Sequence, residues 1–465
     1  MGDTFDVAVV GAGVIALAVA EQLLTAGLTV AVVGEASGLH PGHGSRAAGA
    51  MLSTFSEIEA GHDPQRVKVE TGERLAAHDA YPAWLDRLAS PGHRPELTSG
   101  TWVLAAANRA GDLTPIQAAA AAAGHNVEQH PGTQIPGLRA PAGSQALWLP
   151  TEARIDSGLL MNALTAAVRR HPNATWYDTT AVAVSPGCVR CTDATEIRAG
   201  RIVLAAGVQT AALLPGHGCR IGVPPILAGR GVSMLLHAPQ VSVPHVVRTP
   251  NAAFACGTHL MPRHDGSLYL GATNRLSVDP DLGQNATLDE IAVLATDAAR
   301  HLDPRLTTAQ LKQHRVGYRP YTADHLPLIG RTSEPSLLLA TATYRCGILL
   351  APRLAALLAD EILHPGALDE HPYRVLRPMP APDLPAVLDT GASTALIEHL
   401  IQAGAVLPPH VAAQLAAFTD VMLREAAGQA TAAGHALRRL WGIAPVVESV
   451  PALFELPARL TGGAR

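Results

Sequence analysis

The amino-acid sequence predicts an α/β protein with a Rossmann-like dinucleotide-binding domain, a second (α+β) domain built on an antiparallel sheet, and a helical C-terminal extension. Three observations predict this organisation. A βαβ pattern with a glycine-rich turn occupies residues 5–35. Strand-like segments bounded by proline and glycine occupy 243–273. Two amphipathic helical patterns, at about 391–403 and 407–440, follow a proline-rich stretch.

The βαβ pattern carries the glycine fingerprint of a dinucleotide site. The apolar run 7–10 is typical of a strand buried on both faces, and it ends in Gly11-Ala-Gly13-Val-Ile-Ala16. Gly11 permits the tight turn, Gly13 lets the backbone approach a pyrophosphate, and Ala16 lets the helix pack closely on the strand. The N-terminus of the following helix offers N–H groups to the phosphates. We therefore predict that this turn binds a dinucleotide.

The acidic residue that binds the ribose in such sites is displaced by one position. A second apolar strand spans 28–33, and the residue expected to be acidic is Gly34, with a carboxylate following at Glu35. A flexible Gly34 would let Glu35 reach the ribose. The alternative is that Glu35 is an ordinary loop residue.

Composition excludes several classes of protein. The 465 residues (48.3 kDa) are 48% hydrophobic and 16% charged, which indicates a globular chain that can bury a large core. The net charge of -5 argues against nucleic acid or an anionic membrane as the main partner. No apolar run approaches the roughly 20 residues that cross a bilayer, and no signal peptide is recognisable. We expect a cytoplasmic protein.

The cysteines predict neither a disulfide framework nor a metal site. They are five, an odd number, and they are scattered along the chain. Cys188-Val-Arg-Cys191 has no second pair and no nearby histidine ligands, so we interpret it as two thiols in a hairpin rather than as a zinc or redox site.

Further periodicities divide the chain into domains. Helices are predicted at 64–89, near 114–123 and at 156–170, strands at 175–184 and 201–207, and a strand, turn and helix start over 337–350. The predicted divisions are a nucleotide domain (1–90, 150–225 and 325–365), a second domain (91–149 and 226–324), a proline-rich linker (366–385) and the helical extension (386–465).

Several longer motifs lie in a characteristic order between residues 5 and 363. They are Gly11-Ala-Gly13-Val-Ile-Ala16, Ala47-Ala-Gly-Ala-Met-Leu52, Ile202-Val-Leu-Ala-Ala-Gly207, Met261-Pro-Arg-His-Asp-Gly266, Gly271-Ala-Thr273, Gly317-Tyr-Arg319-Pro-Tyr-Thr-Ala-Asp324-His-Leu-Pro327-Leu-Ile-Gly330 and Tyr344-Arg345-Cys-Gly347-Ile-Leu-Leu-Ala-Pro352. In order and spacing the chain resembles the FAD-dependent oxidases of the D-amino-acid-oxidase superfamily, especially the thiamine-pathway glycine oxidases and the sarcosine oxidases.

The resemblance implies FAD as the cofactor and a second domain whose sheet roofs the flavin. It also implies hydride transfer from the C–H next to an amine to flavin N5, giving an imine, with O2 as the electron acceptor and H2O2 as a product. The substrate would be an amine or amino acid that carries a carboxylate. The residues placed at FAD by the resemblance and the fingerprint are Gly11, Gly13, Val14, Ile15, Glu35, Ser45, Arg46, Ala47, Ala48, Gly49, Met51, Val182, Ala206, Gly207, Arg319, Arg345, Cys346, Gly347, Ile348 and Leu349.

Two arginines are candidates for binding a substrate carboxylate, because a guanidinium is a planar and permanently charged fork. The resemblance places Arg319 as the anchor and Arg345 as the second active-site arginine. The alternative for each is a structural ion pair. Tyr318 and Tyr344 flank them as candidate pocket walls, and His259 is a further candidate that packing alone could explain.

Departures from the family pattern leave the substrate open. Ala342-Thr343 replaces Gly-His, and Cys346 replaces Asn. Cys346 is also a candidate for covalent flavin attachment. The lysine that assists O2 reduction in some relatives has no evident match. Besides an oxidase, the sequence allows a dehydrogenase or tailoring flavoenzyme acting on a larger substrate, or a non-catalytic subunit. The extension could cover the site, dock a partner or seal the homo-oligomer that we expect.

Overall fold

A computed structural model describes the chain over residues 4–35, 43–59, 64–90, 95–214, 222–251, 257–277, 283–322, 324–378 and 414. The predicted C-terminal extension, 386–465, therefore lies outside the described residues apart from residue 414.

The described part of the chain contains both α-helices and β-strands. The helices are α1 (Val14–Thr25), α2 (Gly44–Ala47), α3 (Pro64–Leu88), α4 (Thr114–Ala122), α5 (Ser157–Arg170), α6 (Thr210–Leu213), α7 (Leu288–Asp297) and α8 (Gly347–Leu363). The strands are β1 (Thr4–Val10), β2 (Val30–Val33), β3 (Met51–Leu52), β4 (Thr98–Ala105), β5 (Glu128–Pro131), β6 (Gln145–Arg154), β7 (Ala174–Tyr177), β8 (Ala181–Ser185), β9 (Cys188–Cys191), β10 (Glu196–Leu204), β11 (Leu227–His237), β12 (Val246–Arg248), β13 (His259–Pro262), β14 (Leu268–Gly271), β15 (Arg275–Ser277), β16 (Gln310–Tyr321), β17 (Leu328–Arg331) and β18 (Leu337–Thr341).

The first sheet is the predicted Rossmann-like sheet. Its strand order is β17-β18-β10-β1-β2-β7, and β9 and β8 extend it as a hairpin beside β10. β1, β2, β7, β10 and β18 run parallel, with β2 joined to β1 through α1 as the βαβ pattern predicts. Val7 and Val9 pack into one apolar cluster and Ala8 and Val10 into another, so β1 is buried on both faces.

The second sheet is antiparallel for most of its width, as predicted. Its order is β15-β11-β14-β13-β12-β4-β6-β3, with β16 paired to β11 and β5 to β6. One pair departs from this pattern, because β12 runs parallel to β4. The long pairing of β11 with β16 brings Arg319 opposite Gly229 and Gly317 opposite Gly231.

Three sequence-based boundaries need correction. The predicted strand 175–184 is two strands, because β7 pairs parallel with β2 while β8 turns back to pair with β9. The predicted domain boundary at 149/150 falls inside β6, which pairs along its length in the second sheet.

The third correction concerns the predicted linker 366–385. Its first part, up to residue 378, packs on the nucleotide domain: Leu368, Tyr373 and Val375 are buried, and Arg377 forms an ion pair with Asp324 at 2.7 Å. Residues 379–385 lie outside the described part.

The structure bears on two sequence-based expectations about metal and membrane. Cys188 and Cys191 are free thiols on β9, in the hairpin that was predicted. Within the described residues, no group of side chains is arranged to hold a metal ion. In the same part of the chain, no helix combines the length and apolar character that spanning a bilayer requires.

Candidate active site

One large cavity lies between the two sheets. It encloses about 1790 Å³ of space that no protein atom fills, part of it open to solvent. Its floor is the carboxyl edge of the parallel strands, where Gly11, Glu35, Ala206 and Thr343 follow β1, β2, β10 and β18. This edge is where open α/β sheets bind ligands.

Most of the residues predicted from the sequence line this cavity. They are Gly11, Gly13, Val14, Ile15, Glu35, Ser45, Ala47, Ala48, Gly49, Met51, Ala206, Gly207, His259, Tyr318, Arg319, Tyr344, Arg345, Cys346, Gly347, Ile348 and Leu349. The structure thus brings together residues from both sheets and from the starts of α1 and α8. Arg46 and Val182 are the two predicted residues that it does not place there.

Two glycines of the βαβ unit, Gly11 and Gly34, pack closely against neighbouring backbone. Gly11 has φ +129°, and a Cβ on it would collide with the backbone oxygen of Ala205 at the end of β10. A Cβ on Gly34 would lie 3.0 Å from the backbone of Gly11 and Ala12. The first turn therefore packs closely against the position expected to be acidic.

Glu35 follows Gly34 at the end of β2 and faces the cavity. Thr180 Oγ1 donates a hydrogen bond to Glu35 Oε1 at 2.8 Å, and Thr180 and Ala181 line the cavity beside it. Val182 does not line the cavity, and its side chain is 48% exposed. In this segment Thr180 and Ala181 therefore face the cavity, whereas the side chain of Val182, which was predicted at the cofactor site, does not.

The short helix α2 lies over the start of α1. Its Ser45 Oγ accepts a hydrogen bond from Val14 N at 3.0 Å, which ties α2 to the first turn of α1. Arg46 points away instead: its two terminal nitrogens lie 3.3 and 3.4 Å from Asn162 Oδ1 on α5. The sequence placed Arg46 at the cofactor site, whereas its side chain is directed towards α5.

Arg319 reaches the cavity from β16. Its Nη1 donates to Thr273 O at 3.0 Å and to Asn274 Oδ1 at 3.1 Å. No carboxylate of the described chain forms an ion pair with it. Tyr344 is held by the same asparagine, because Asn274 Nδ2 donates to its hydroxyl at 2.6 Å. A half-buried guanidinium beside a cavity, with neutral partners only, is able to bind an anion.

Arg345 lies in a different electrostatic environment. Its Nη1 is 3.3 Å from Glu57 Oε2, its Nη2 is 3.4 Å from Glu59 Oε1, and its guanidinium stacks over Tyr344 at 4.9 Å. Arg345 therefore forms ion pairs within the protein, as predicted by the alternative to its binding a substrate carboxylate.

Arg345 is connected through Glu57 to a buried network of ion pairs. Arg248 is fully buried, with Nη1 2.5 Å from Glu57 Oε1 and Nη2 2.5 Å from Asn251 Oδ1. Burial alone would raise the pKa of Glu57, but the charges of Arg248 and Arg345 and the hydrogen bond from Asn251 outweigh it, so that pKa lies well below its usual range. Glu57 is therefore ionised, and the charges of Arg248 and Arg345 compensate its negative charge.

The remaining aromatic and thiol candidates have distinct surroundings. The Tyr318 hydroxyl accepts from Arg230 Nη1 at 2.8 Å and donates to Gly283 O at 3.1 Å. Cys346 is the N-cap residue of α8, and burial raises the pKa of its thiol, a shift that the charge of Arg74 only partly offsets. This thiol is accordingly protonated at neutral pH, which disfavours its acting as a nucleophile.

Sequence reasoning missed several residues that line the cavity. They include Ser53, Glu57, Thr180, Ala181, Gln209, Gly231, Ser233 and Tyr269. Period-two alternation along β11 and β14 could have indicated Gly231, Ser233 and Tyr269. No local signal marks Glu57, whose partner Arg248 is 191 residues away in the chain.

Comparison with known proteins agrees with this geometry. Residues 6–361 match the family model DAO, described as FAD dependent oxidoreductase. The chain is 27% identical over 391 residues to the bifunctional protein ThiO/ThiG of Trichormus variabilis, covering 77% of this chain and 53% of that protein. It is 29% identical over 378 residues to the glycine oxidase of Pseudomonas aeruginosa, covering 76% and 93%. The chain thus spans about half the length of the bifunctional relative.

A solved structure and the residues around the cavity support the same family assignment as the family model. The glycine oxidase of Geobacillus kaustophilus superposes with a TM-score of 0.70 at 25% identity, covering 82% of this chain and 100% of that one. The backbone cradle at Gly11 and Gly13, the start of α1 and Glu35 fit a dinucleotide, as the fingerprint requires. The chain therefore belongs to the DAO family of FAD dependent oxidoreductases.

Proposed function

We propose that the protein oxidises an amine that carries a carboxylate, either an amino acid or a secondary amine, and that O2 is the electron acceptor. The reaction removes a hydride from the carbon next to nitrogen and a proton from the nitrogen. The resulting imine is hydrolysed by water, while O2 takes up two electrons and two protons and becomes H2O2. When bound, FAD supplies the hydride acceptor and transfers the electrons to O2.

The observation that carries the proposal is the state of Arg319. It borders the cavity, it is held by the neutral oxygens of Thr273 and Asn274, and among the described residues it has no carboxylate partner. A substrate carboxylate would supply the missing counter-charge in a two-pronged hydrogen bond. Arg345 already has Glu57 and Glu59 as partners, so we assign it to shaping the pocket wall with Tyr344.

The remaining contribution of the chain is to fix the position of the substrate. Hydride transfer needs a neutral amine placed precisely, and it needs no obligatory protein base, so the orientation of the C–H bond governs the rate. Arg319 fixes one end of the substrate, while the aromatic residues Tyr269, Tyr318 and Tyr344 border the space beside it. Relatives named glycine oxidase support an amino acid as the substrate class.

The experiment that tests the proposal is anaerobic reduction of the flavin. The holoenzyme is mixed with a panel of amino acids and N-methyl amino acids, and loss of the visible flavin absorbance is followed. Reduction by a member of the panel is the expected result. If amines without a carboxylate reduce the flavin as well as amino acids do, the proposed substrate class is wrong.

Arg319→Ala tests the anchor directly. It should raise the KM of the amino acid by about thirtyfold or more, because removing one member of a charged pair costs about 2–5 kcal/mol. Lys312→Ala is the matched control, since Lys312 is an exposed cation on the same strand, β16. An unchanged KM in Arg319→Ala would refute the assignment.

A dehydrogenase is the second candidate, and one observation favours it. Both lysines of the sequence, Lys68 and Lys312, are exposed, and neither lines the cavity. A cation that assists O2 reduction would therefore have to be another group. Reoxidation of the reduced enzyme by air, with release of H2O2, identifies an oxidase. Reoxidation by an artificial acceptor but not by air identifies a dehydrogenase.

A further inference from the structure

His259 has an unusual position at the wall of the cavity. It is the first residue of β13 and is buried, and its ring stacks on Tyr269 with the centroids 5.7 Å apart and an interplanar angle of 18°. Its Nδ1 lies 2.9 Å from the carbonyl oxygen of Gly257. A carbonyl oxygen can only accept, so Nδ1 carries the hydrogen, and Nε2 of the neutral ring presents a lone pair.

The Nε2 atom lies beside two glycines, Gly49 and Gly271, which bring backbone close to the ring. A Cβ on Gly49 would lie 3.3 Å from Nε2, and a Cβ on Gly271 would lie 3.1 Å from it. His259 and Gly49 both line the cavity. In the part of the chain that the structure describes, Nε2 has no hydrogen-bond partner. It is thus an unsatisfied acceptor at the cavity wall.

The surrounding charges keep the ring neutral. Burial lowers the pKa of His259 to about 4, against the hydrogen bond to Gly257, which raises it. Arg248 and Arg319 lower the pKa further, and Glu57 raises it. At neutral pH the Nε2 lone pair therefore persists and repels a carboxylate oxygen, while it attracts an N–H group.

We propose that Nε2 of His259 accepts a hydrogen bond from the amine N–H of the substrate while Arg319 binds its carboxylate. The two side chains have opposite preferences, because a guanidinium only donates and this imidazole nitrogen only accepts. Together they bind an amino acid in one direction and discriminate against a carboxylic acid that lacks the amine. This inference rests on the proposed function, which it deepens by assigning the group that recognises nitrogen.

The test compares pairs of ligands that differ only in the amine: glycine with acetate, and alanine with propionate. Amino-acid affinity is taken from the concentration dependence of anaerobic flavin reduction, and acid affinity from the change in flavin absorbance on binding. His259→Phe keeps a ring to stack on Tyr269 and removes both nitrogens. We expect its apparent Kd for the amino acid to rise about tenfold or more and its Kd for the acid to change less than about twofold.

A second variant and a control keep the result interpretable. His259→Gln restores an acceptor and should recover most of the amino-acid affinity, whereas Arg319→Ala should weaken both ligands of a pair. Equal weakening of both ligands in His259→Phe and no recovery in His259→Gln would mean that His259 only packs, and would overturn the proposal. An unchanged amino-acid Kd in His259→Phe would overturn it as well.

Failure of the proposed function has a different signature. If no amino acid reduces the flavin of the wild-type enzyme, the proposed function is wrong. The same ligand pairs then give Kd values from flavin absorbance without turnover. In that case the role of His259 stands only if His259→Phe weakens the amino acid selectively, and it falls if both ligands respond alike or neither binds.

Discussion

The guanidinium of Arg319 lies directly over Gly231, in the space that a side chain at residue 231 would occupy. Arg319 is on β16 and Gly231 on β11, and the two strands pair along their length. The absence of a side chain at residue 231 is therefore what allows the proposed carboxylate anchor to reach the cavity.

Gly231→Ala should displace this guanidinium without unfolding the protein. The atoms that the new Cβ would meet belong to the flexible end of the Arg319 side chain rather than to backbone. We expect the KM of the amino-acid substrate to rise about tenfold or more, since misplacement by about 1 Å can be that costly, and the Tm to change little. Gly72→Ala is the control, because no described residue lies within 4 Å of its added Cβ. A normal KM in Gly231→Ala would contradict this role.

Gly11→Ala should abolish FAD retention. Its φ of +129° disfavours any side chain, and the added Cβ would collide with the rigid backbone of Ala205. The ratio of flavin to protein absorbance in the purified variant measures the loss. Gly111→Ala, whose added Cβ has no atom of the described chain within 4 Å, should retain FAD fully. Normal flavin content in Gly11→Ala would show that the first turn tolerates a side chain.

Glu57→Gln should destabilise the protein strongly. It leaves the fully buried Arg248 without its carboxylate partner and removes one partner of Arg345. Breaking a buried ion pair from one side costs about 3–5 kcal/mol, which denaturant unfolding would measure. Glu128→Gln, an exposed carboxylate on β5, should change the free energy of unfolding by less than about 0.5 kcal/mol. A loss from Glu57→Gln as small as that of the control would contradict the proposed importance of the network.

Asp297 should make stability fall as the pH rises towards neutrality. Burial raises its pKa to about 7, its Oδ1 has no hydrogen-bond partner among the described residues, and Thr258 donates to Oδ2 only at 3.5 Å. The folded state therefore keeps a proton that the unfolded chain has lost between about pH 4 and pH 7, so folding becomes less favourable across that window. The full penalty, present above pH 7, is of order 4 kcal/mol.

Asp297→Asn removes this titration and should raise the Tm more at pH 8 than at pH 5. The measurement is thermal unfolding of the variant and of wild type at both pH values. Asp86→Asn, an exposed carboxylate on α3, should show no such difference. Equal shifts of Tm at the two pH values in Asp297→Asn would mean that this carboxyl is ionised normally in the folded protein.

Local features explain which elements could be predicted. The turn at Gly11 and the strand 7–10 depend on neighbours within one βαβ unit, so period and glycine spacing suffice to identify them. The start of α5 was predicted at Asp156, whose side chain accepts from Gly158 N and Leu159 N within the same helix. The sequence did not predict the break within 175–184, because the break depends on strand pairing. β7 pairs with β2, whereas β8 pairs with β9.

By itself the sequence determined the nucleotide-binding unit, the family and the set of arginines from which the anchor is chosen, because these depend on backbone geometry and on short motifs. Only the tertiary structure decided that Arg345 is paired, and that the side chain of Arg46 is directed towards α5. It also decided that, among the described residues, Arg319 has no carboxylate partner and Nε2 of His259 has no hydrogen-bond donor. The physical reason is that ion pairs and hydrogen bonds between side chains form across the packed sheets. Glu57 and Arg345 are far apart in the chain, and no local pattern records that they meet.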